Sequence, residues 1–536
     1  MKADRIEWDP RTAWRRYCGF LDISLDTFME IQYHLLMEQV ELISDCPLGR
    51  TLMAQGAPRT VQQFRDTVPL TSYEDYRSFL DPAEPHGLPE GEYAWAYTSG
   101  AADEQRWVPY TRRGYNRFLD NVMAAFLLAG AQQSGDVSIR PGDVVMYNLP
   151  ARPYLSGMAS FGMVERFGVN PVIDPAAAEN MEFNEKVRAS FSAALNSRVD
   201  VIISLTSVIT RVAEAFEEQQ RQDGNQNGNG DNSLLGGVSF RGLGRLAKAK
   251  LATLLARRPM RPKDLWPTKA LVGWGMDTQH YRHKLREYWG RDPLEMYAAT
   301  EGGVMGMQSW RRRGMVFTPY AAFYEFIPED EIQATQDEGA EPKTVLLPEV
   351  QPGKAYELVI SNFYGMPLLR YRVGHLIRFR ETPAEGWPDG PEFDFIGRSD
   401  GRIDILGFTR IDERTILDAV HSSGIAIGNW VARRENDGEQ PVLHIYAERA
   451  GELTESEATD RLDAALREND PPYRDLEAIL NTRPLRVTLL EAGVFNRYYE
   501  SQASRGAALD QRQPTRMNPE DETVGSLLRL SAEARE

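Results

Sequence analysis

Apolar positions along the chain change period repeatedly, and these changes mark out its elements. Thr27–Ile43 places apolar residues three and four apart, as a helix with one buried face does. Ala94-Trp95-Ala96-Tyr97 is a buried-strand pattern that ends in the turn Thr98-Ser99-Gly100. Gly114–Ala129 predicts an apolar helix through Phe118, Val122, Phe126 and Leu127. Short strands are predicted at Val144–Asn148, Val169–Ile173 and Val199–Leu205, with helices over Gly157–Phe167 and Val208–Gln220. A helix over Leu243–Arg257 precedes strand Lys269–Val272, which runs into Gly273-Trp274-Gly275 and then helix His280–Trp289. Strand Leu294–Ala298 ends in Ala299-Thr300-Glu301-Gly302-Gly303. Strands and helices alternating at this spacing predict an α/β fold with substantial parallel sheet. Tyr320–Ile327 and Ala355–Asn362 alternate with period two, as antiparallel strands do.

Gly397–Asp412, GRSDGRIDILGFTRID, interrupts this order with glycine and aspartate, residues that tolerate the backbone changes of a hinge. It divides the chain into a large N-terminal domain, 1–396, built of β-sheets with flanking helices, and a smaller mobile α+β domain, 397–536. A first helix over Arg410–Val420, strands Val442–Glu448 and Leu485–Leu490, and helix Ser456–Asn469 are expected in the smaller domain. Asp223–Asn232, DGNQNGNGDN, is expected to be a disordered surface insertion, and the tail after about 519 to be poorly ordered.

The chain has 536 residues and a net charge of −17, which argues against nucleic acid or an anionic membrane as its main partner. Only Cys18 and Cys46 are present, so neither a disulfide framework nor a cysteine zinc site is available. The start, MKADRIEWDPRTAWRRY, lacks an apolar signal core, and no apolar run approaches the roughly 20 residues that cross a bilayer. A soluble cytoplasmic protein is expected.

Candidate chemistry sits on three turns after predicted strands: Thr98-Ser99-Gly100, Gly273-Trp274-Gly275 and Thr300-Glu301-Gly302. Ligands of open α/β sheets bind beyond the carboxyl ends of strands, where glycine lets backbone approach closely. Thr300 can donate to a phosphate oxygen, and Glu301 is the hard oxygen ligand that Mg²⁺ takes alongside phosphates. His280 and His283 lie three apart on a helix without a companion ligand cluster, and Arg311-Arg312-Arg313 reads as a solvated turn. No Gly-x-Ser-x-Gly elbow supports a serine hydrolase.

The order of these stretches adds more than any one of them. Tyr97-Thr98-Ser99-Gly100, Tyr297-Ala298-Ala299-Thr300-Glu301-Gly302, Tyr371-Arg372-Val373-Gly374 and Gly397-Arg398-x-Asp400 with Gly407-Phe408-x-Arg410-Ile411-Asp412 resemble the core motifs of the adenylate-forming superfamily. Within it, Leu271–Gly275, Phe323–Pro328, Tyr356–Val359, Phe393–Ile396 and Gly493–Arg516 resemble the auxin-responsive acyl acid amido synthetase family. The resemblance runs from about Ala94 to Arg516 and implies a two-step ligase. ATP and Mg²⁺ are the implied cofactors, and a small carboxylic acid and an amine the implied partners; a dimer is left open.

By that resemblance Thr98, Ser99 and Gly100 cradle phosphate, Gly273, Trp274 and Gly275 border the adenine, and Tyr297 flanks the base. Thr300 touches phosphate, Glu301 holds the metal, Arg372 lies in the nucleotide motif and Arg398 reaches the ribose. Tyr154, Ser156, Gly157, Thr206 and Ser207 fall where the fold builds its acyl pocket. Three positions depart from the family. Its phosphate loop carries a lysine, whereas this chain reads Ala101–Trp107, with Arg106 as the cation at hand. His375 stands where the family has an aspartate for the ribose hydroxyls. Gln513 stands at the catalytic lysine of the small domain. Two other readings therefore stay open: an acyltransferase taking a pre-activated donor without adenylation, and a non-catalytic binding or partner protein on the same fold.

Overall fold

The computed structural model describes residues 2–83, 85–98, 106–181, 183–223, 240–274, 278–332, 341–381, 390–399, 401–405, 409–437, 440–480, 483–504 and 514–534. Residues 224–232 of the expected insertion lie outside this set. Two compact units are present, one of Met1–Thr98 with Arg106–Gly397, the other containing Arg398–Glu536.

Strands of the first unit are β1 (Tyr93–Thr98), β2 (Arg106–Thr111), β3 (Val144–Asn148), β4 (Asn170–Pro171), β5 (Val201–Leu205), β6 (Ala270–Trp274), β7 (Leu294–Ala299), β8 (Gly303–Gln308), β9 (Met315–Phe317), β10 (Ala322–Pro328), β11 (Ala355–Asn362), β12 (Tyr371–Phe379) and β13 (Phe393–Arg398). β1 and β2 form an antiparallel ribbon, and the rest join one sheet of 11 strands in the order β10-β11-β12-β13-β9-β8-β7-β6-β5-β3-β4. β3 to β7 pair in parallel, and from β7 to β8 the pairing becomes antiparallel.

Burial explains the parallel half. Val145, Tyr147, Val201, Ile203 and Val272 face helices Pro10–Cys18, Arg112–Gly130 and Leu155–Phe167, while Met146, Ile202 and Leu271 face the helices on the other side. Strands covered on both faces become continuous apolar runs. The antiparallel half packs one face on helix Leu25–Ile43 and on the aromatic rings of Phe317, Phe323, Phe326 and Phe393.

One expectation changes here. Gly273 and Trp274 are not a turn but the end of β6, held extended by Ser204 and Leu205 of β5 and, at Gly273, by Glu295 of β7. Glycine is needed at 273 because a Cβ there would lie 2.4 Å from Cγ2 of Thr206. The 300–302 turn leads into the antiparallel strand β8.

In the second unit β14 (Ile403–Ile405) and β15 (Thr409–Ile411) make a ribbon. β16 (Ile427–Asp437), β17 (Gln440–Arg449) and β18 (Leu485–Leu490) form a sheet in which β17 and β18 run parallel. The strand β16 escaped the sequence reading because its second half is charged. Glu435 supplies the reason: its carboxylate meets Arg433 at 2.5 Å, His444 at 2.6 Å and Tyr446 at 2.7 Å, so the polar residues satisfy one another across the strands. The tail also departs from expectation. Asp521–Glu533 is a helix that buries Val524 and Leu527 against Val431, Tyr446, Leu490 and Val494.

Candidate functional site

Thr300-Glu301-Gly302 links β7 to β8 at the strand where the sheet changes from parallel to antiparallel. Its backbone is fixed from neighbouring elements. The Tyr110 hydroxyl of β2 donates to the Thr300 carbonyl at 2.6 Å, and the Asn362 amide of β11 donates to the Glu301 carbonyl at 2.8 Å. Gly303 closes the turn at φ +70°, a left-handed conformation that favours glycine. Burial, and then the Glu301 charge, push the Tyr110 phenol well above its ordinary pKa, so it stays a donor. Glu301 itself is 5% exposed.

Tyr297, three residues before the turn, is buried and reaches His375 of β12, with its hydroxyl 2.7 Å from Nδ1. Phe395 lies against both rings, at 6.0 Å from Tyr297 and 5.1 Å from His375 between centroids. The two residues assigned to the nucleoside thus form one buried pair. Arg372, on the same strand as His375, is turned to Glu357 of β11 through a two-point contact at 2.9 and 2.7 Å. That guanidinium is held by a buried carboxylate, and its pKa is raised by the pairing.

Near the end of β1, Tyr97 packs against Tyr154 with ring centroids 4.5 Å apart and the ring planes tilted by 42°, and its amide donates to the Pro153 carbonyl at 3.2 Å. This brings the start of helix Leu155–Phe167, with Ser156 and Gly157, beside the strand that leads into Thr98. Ser156 donates to the Pro150 carbonyl at 3.4 Å. Gly157 admits no side chain, because a Cβ would lie 2.3 Å from the Ala151 backbone. Arg106 pairs with Thr98 across the ribbon, its guanidinium over the Tyr73 ring at 5.3 Å. Thr206 is fully buried against Gly273, at the start of the helix that contains Ser207. Arg398 ends β13. Ser99, Gly100, Gly275 and Gln513 lie outside the described residues.

Tyr110 and Asn362 were invisible to sequence reasoning. Their roles depend on strand register, and no motif marks them. Among the described residues no cluster of three or more His, Cys, Asp or Glu could hold a metal by itself. Glu301 alone still fits Mg²⁺, an ion commonly carried by one or two carboxylates together with substrate phosphates.

Residues 315–398 match the GH3 family central domain, and residues 415–521 match the GH3 family C-terminal domain. The chain carries GH3 family domains. The GH3 central domain runs from β9 through β13, so it contains Arg372, His375 and Glu357. Over 216 residues the chain is 32% identical to a GH3 domain-containing protein of Homo sapiens, covering 37% of this chain and 38% of that protein. Over 293 residues it is 28% identical to the jasmonoyl–L-amino acid synthetase GH3.5 of Oryza sativa subsp. japonica, covering 49% and 48%. The chain thus spans about half, or less, of the length of these curated relatives. In fold it is similar to the acyl acid amido synthetase GH3.15 in complex with 2,4-DB, with a TM-score of 0.53 and 16% identity over 98% of this chain and 97% of the other. It is also similar to 2-hydroxyisobutyryl-CoA ligase in complex with 2-HIB-AMP and CoA, with a TM-score of 0.56 and 14% identity over 91% and 92%. The fold is that of the adenylate-forming ligases.

Proposed function

We propose that this chain is an ATP-dependent ligase of specialised metabolism, working in the cytoplasm, which joins a small carboxylic acid to an amine. A carboxylate oxygen attacks the α-phosphorus of ATP, the bond to the bridging oxygen breaks, and pyrophosphate leaves. The amine nitrogen then attacks the acyl carbon of the adenylate, AMP departs and the nitrogen loses a proton. A free carboxylate is a poor electrophile, and AMP is the leaving group that makes the second step feasible.

The observation that carries this reading is the buried Glu301 on a turn clamped by Tyr110 and Asn362. The clamps fix the backbone that carries this carboxylate. Mg²⁺, when bound, supplies neutralisation of that charge, with Glu301 as its protein ligand. Thr300 and the Thr98–Gly100 loop, with Arg106, take the phosphates; Gly273–Gly275 borders the adenine. The Tyr297–His375 pair lines the nucleoside side, where Arg372 acts through its hold on Glu357, and Arg398 reaches the ribose. Tyr154, Ser156, Gly157, Thr206 and Ser207 shape the acyl pocket. The relative named as a jasmonoyl–L-amino acid synthetase supports an amine as acceptor.

A second reading, acyl transfer from a pre-activated donor, draws on Gln513, a neutral amide where the family has a cation, and on the acids Asp103 and Glu104 in the phosphate loop. One experiment separates them. Incubation with ATP, a panel of aryl and fatty acids and the amino acids, read by mass spectrometry, is expected to give an N-acyl product and AMP. Product formed only from acyl thioesters, without ATP, would favour the second reading; no product from either donor would leave a binding protein.

A further inference from the structure

Five large apolar side chains are markedly exposed among the described residues, and three of them, Leu251 (61%), Leu254 (76%) and Leu255 (79%), share helix Phe240–Leu255. Spacings of three and four put them on one face. The opposite face is anchored: Ala249 and Thr253 are buried, and Arg245 donates to the Leu195 carbonyl at 2.8 Å. The leucine stripe is therefore the side turned away from the core.

Charge around the stripe is one-sided. Phe240–Arg258 contains Arg241, Arg245, Lys248, Lys250, Arg257 and Arg258 and no acid, in a chain whose net charge is −17. Arg245 and Arg258 are used internally, the latter in a two-point contact with Asp264 at 2.7 Å on each side. Lys248, Lys250 and Arg257 are exposed. Lys248 is three residues before Leu251 and Lys250 four before Leu254, so the two ammonium groups border the stripe.

We propose that this helix is a docking surface for an anionic phospholipid bilayer, on which it lies parallel to the surface. An apolar stripe edged by lysines is the arrangement of an interfacial helix: leucines enter the acyl boundary while long basic side chains reach the headgroups. Charge complementarity selects the occupant. The chain as a whole repels an anionic surface, so a basic patch is needed to orient it. Size argues against a second copy as occupant. A helix of 16 residues offers a strip roughly 24 Å long and about 10 Å wide, well short of the ~800 Å² per partner that a stable protein interface buries. A bilayer needs no such complementary shape. Such docking would bring the chain to the phase in which apolar carboxylic acids concentrate. No described helix is long and apolar enough to cross a bilayer, and the proposal concerns the bilayer surface alone.

The test is co-sedimentation of the full chain with phosphatidylcholine vesicles, with and without phosphatidylserine, at low and high salt. Binding is expected with phosphatidylserine at low salt and to weaken as salt rises. Lys248→Glu with Lys250→Glu should remove the preference for phosphatidylserine. Leu254→Glu with Leu255→Glu should weaken binding at least tenfold while leaving the melting temperature unchanged. A lowered melting temperature would mean that the chain itself covers the face, and would overturn the proposal. So would absence of vesicle binding by the wild type, or a dimer in size-exclusion chromatography that the leucine variant dissociates.

Discussion

The hydroxyl of Tyr297 lies 2.7 Å from Nδ1 of His375, although their strands are not neighbours. Between β7 and β12 the sheet order runs through β8, β9 and β13. Four spacings of about 4.8 Å would separate them by ~19 Å in a flat sheet, so the contact requires the antiparallel half to curl on its core. Phe393 marks the inside of the curl, stacked on Phe317 at 4.1 Å and set edge to face with Tyr297 at 5.6 Å.

The pair should therefore stabilise the curl. Tyr297→Phe removes one buried hydrogen bond and keeps the ring, and is expected to cost about 1–2 kcal/mol in urea denaturation. An unchanged midpoint would mean that the pair adds nothing net.

A second buried contact has larger consequences. Glu325 is 1% exposed and accepts from Arg370 at 3.1 and 3.2 Å and from Arg65 at 3.3 Å. Glu325→Leu leaves these cations without their carboxylate, and a loss of ~3–5 kcal/mol is expected. Combining it with Arg370→Leu should recover much of that loss, since the uncompensated charge, more than the missing attraction, is what destabilises. No recovery in the double variant would contradict this account.

Glu295 sets a pH dependence. Burial raises its carboxyl from 4.5 to about 7, against the opposing charge of Arg282 and with that of Asp394. A native pKa above the unfolded one makes the folded state bind more protons between those values. Stability from this group is complete below about 4.5, falls through the window, and is lost by about pH 7, a change on the order of 3 kcal/mol. Glu295→Gln keeps an acceptor for Gln308, whose amide lies 2.8 Å from the carboxylate. The variant should melt higher than the wild type at pH 8 and show no such gain near pH 4.5.

What the sequence disclosed, and what it withheld, follows from the range of the interactions. Parallel strands such as Val201–Leu205 and helices such as Glu455–Asn469 were legible because local apolar period and capping residues specify them. The first compact unit ends at Gly397. β16 and helix Asp521–Glu533 were not, since charges that pair across strands, and two buried residues on a polar helix, read as surface. The motif residues Thr300, Glu301 and Tyr297 could be picked out individually. Their clamps, Tyr110, Asn362 and the His375 contact, depend on partners 61 to 190 residues away and on a curl that no local pattern encodes.

Gln513 offers a gain-of-function test. A preorganised cation at a developing phosphate charge is typically worth about 10²–10³ in rate. Gln513→Lys is expected to raise adenylate formation by up to that factor, measured as acid-dependent AMP release. An unchanged rate would place the residue away from the reacting phosphate.

The most direct measurement is exchange of labelled pyrophosphate into ATP, dependent on added acid, in the wild type and in Glu301→Gln, with folding followed by melting temperature. Exchange is expected in the wild type, with a fall of about 10²–10³ in a variant that still folds. Exchange that survives intact in Glu301→Gln, or its absence in the wild type with every acid tried, would contradict the ligase reading.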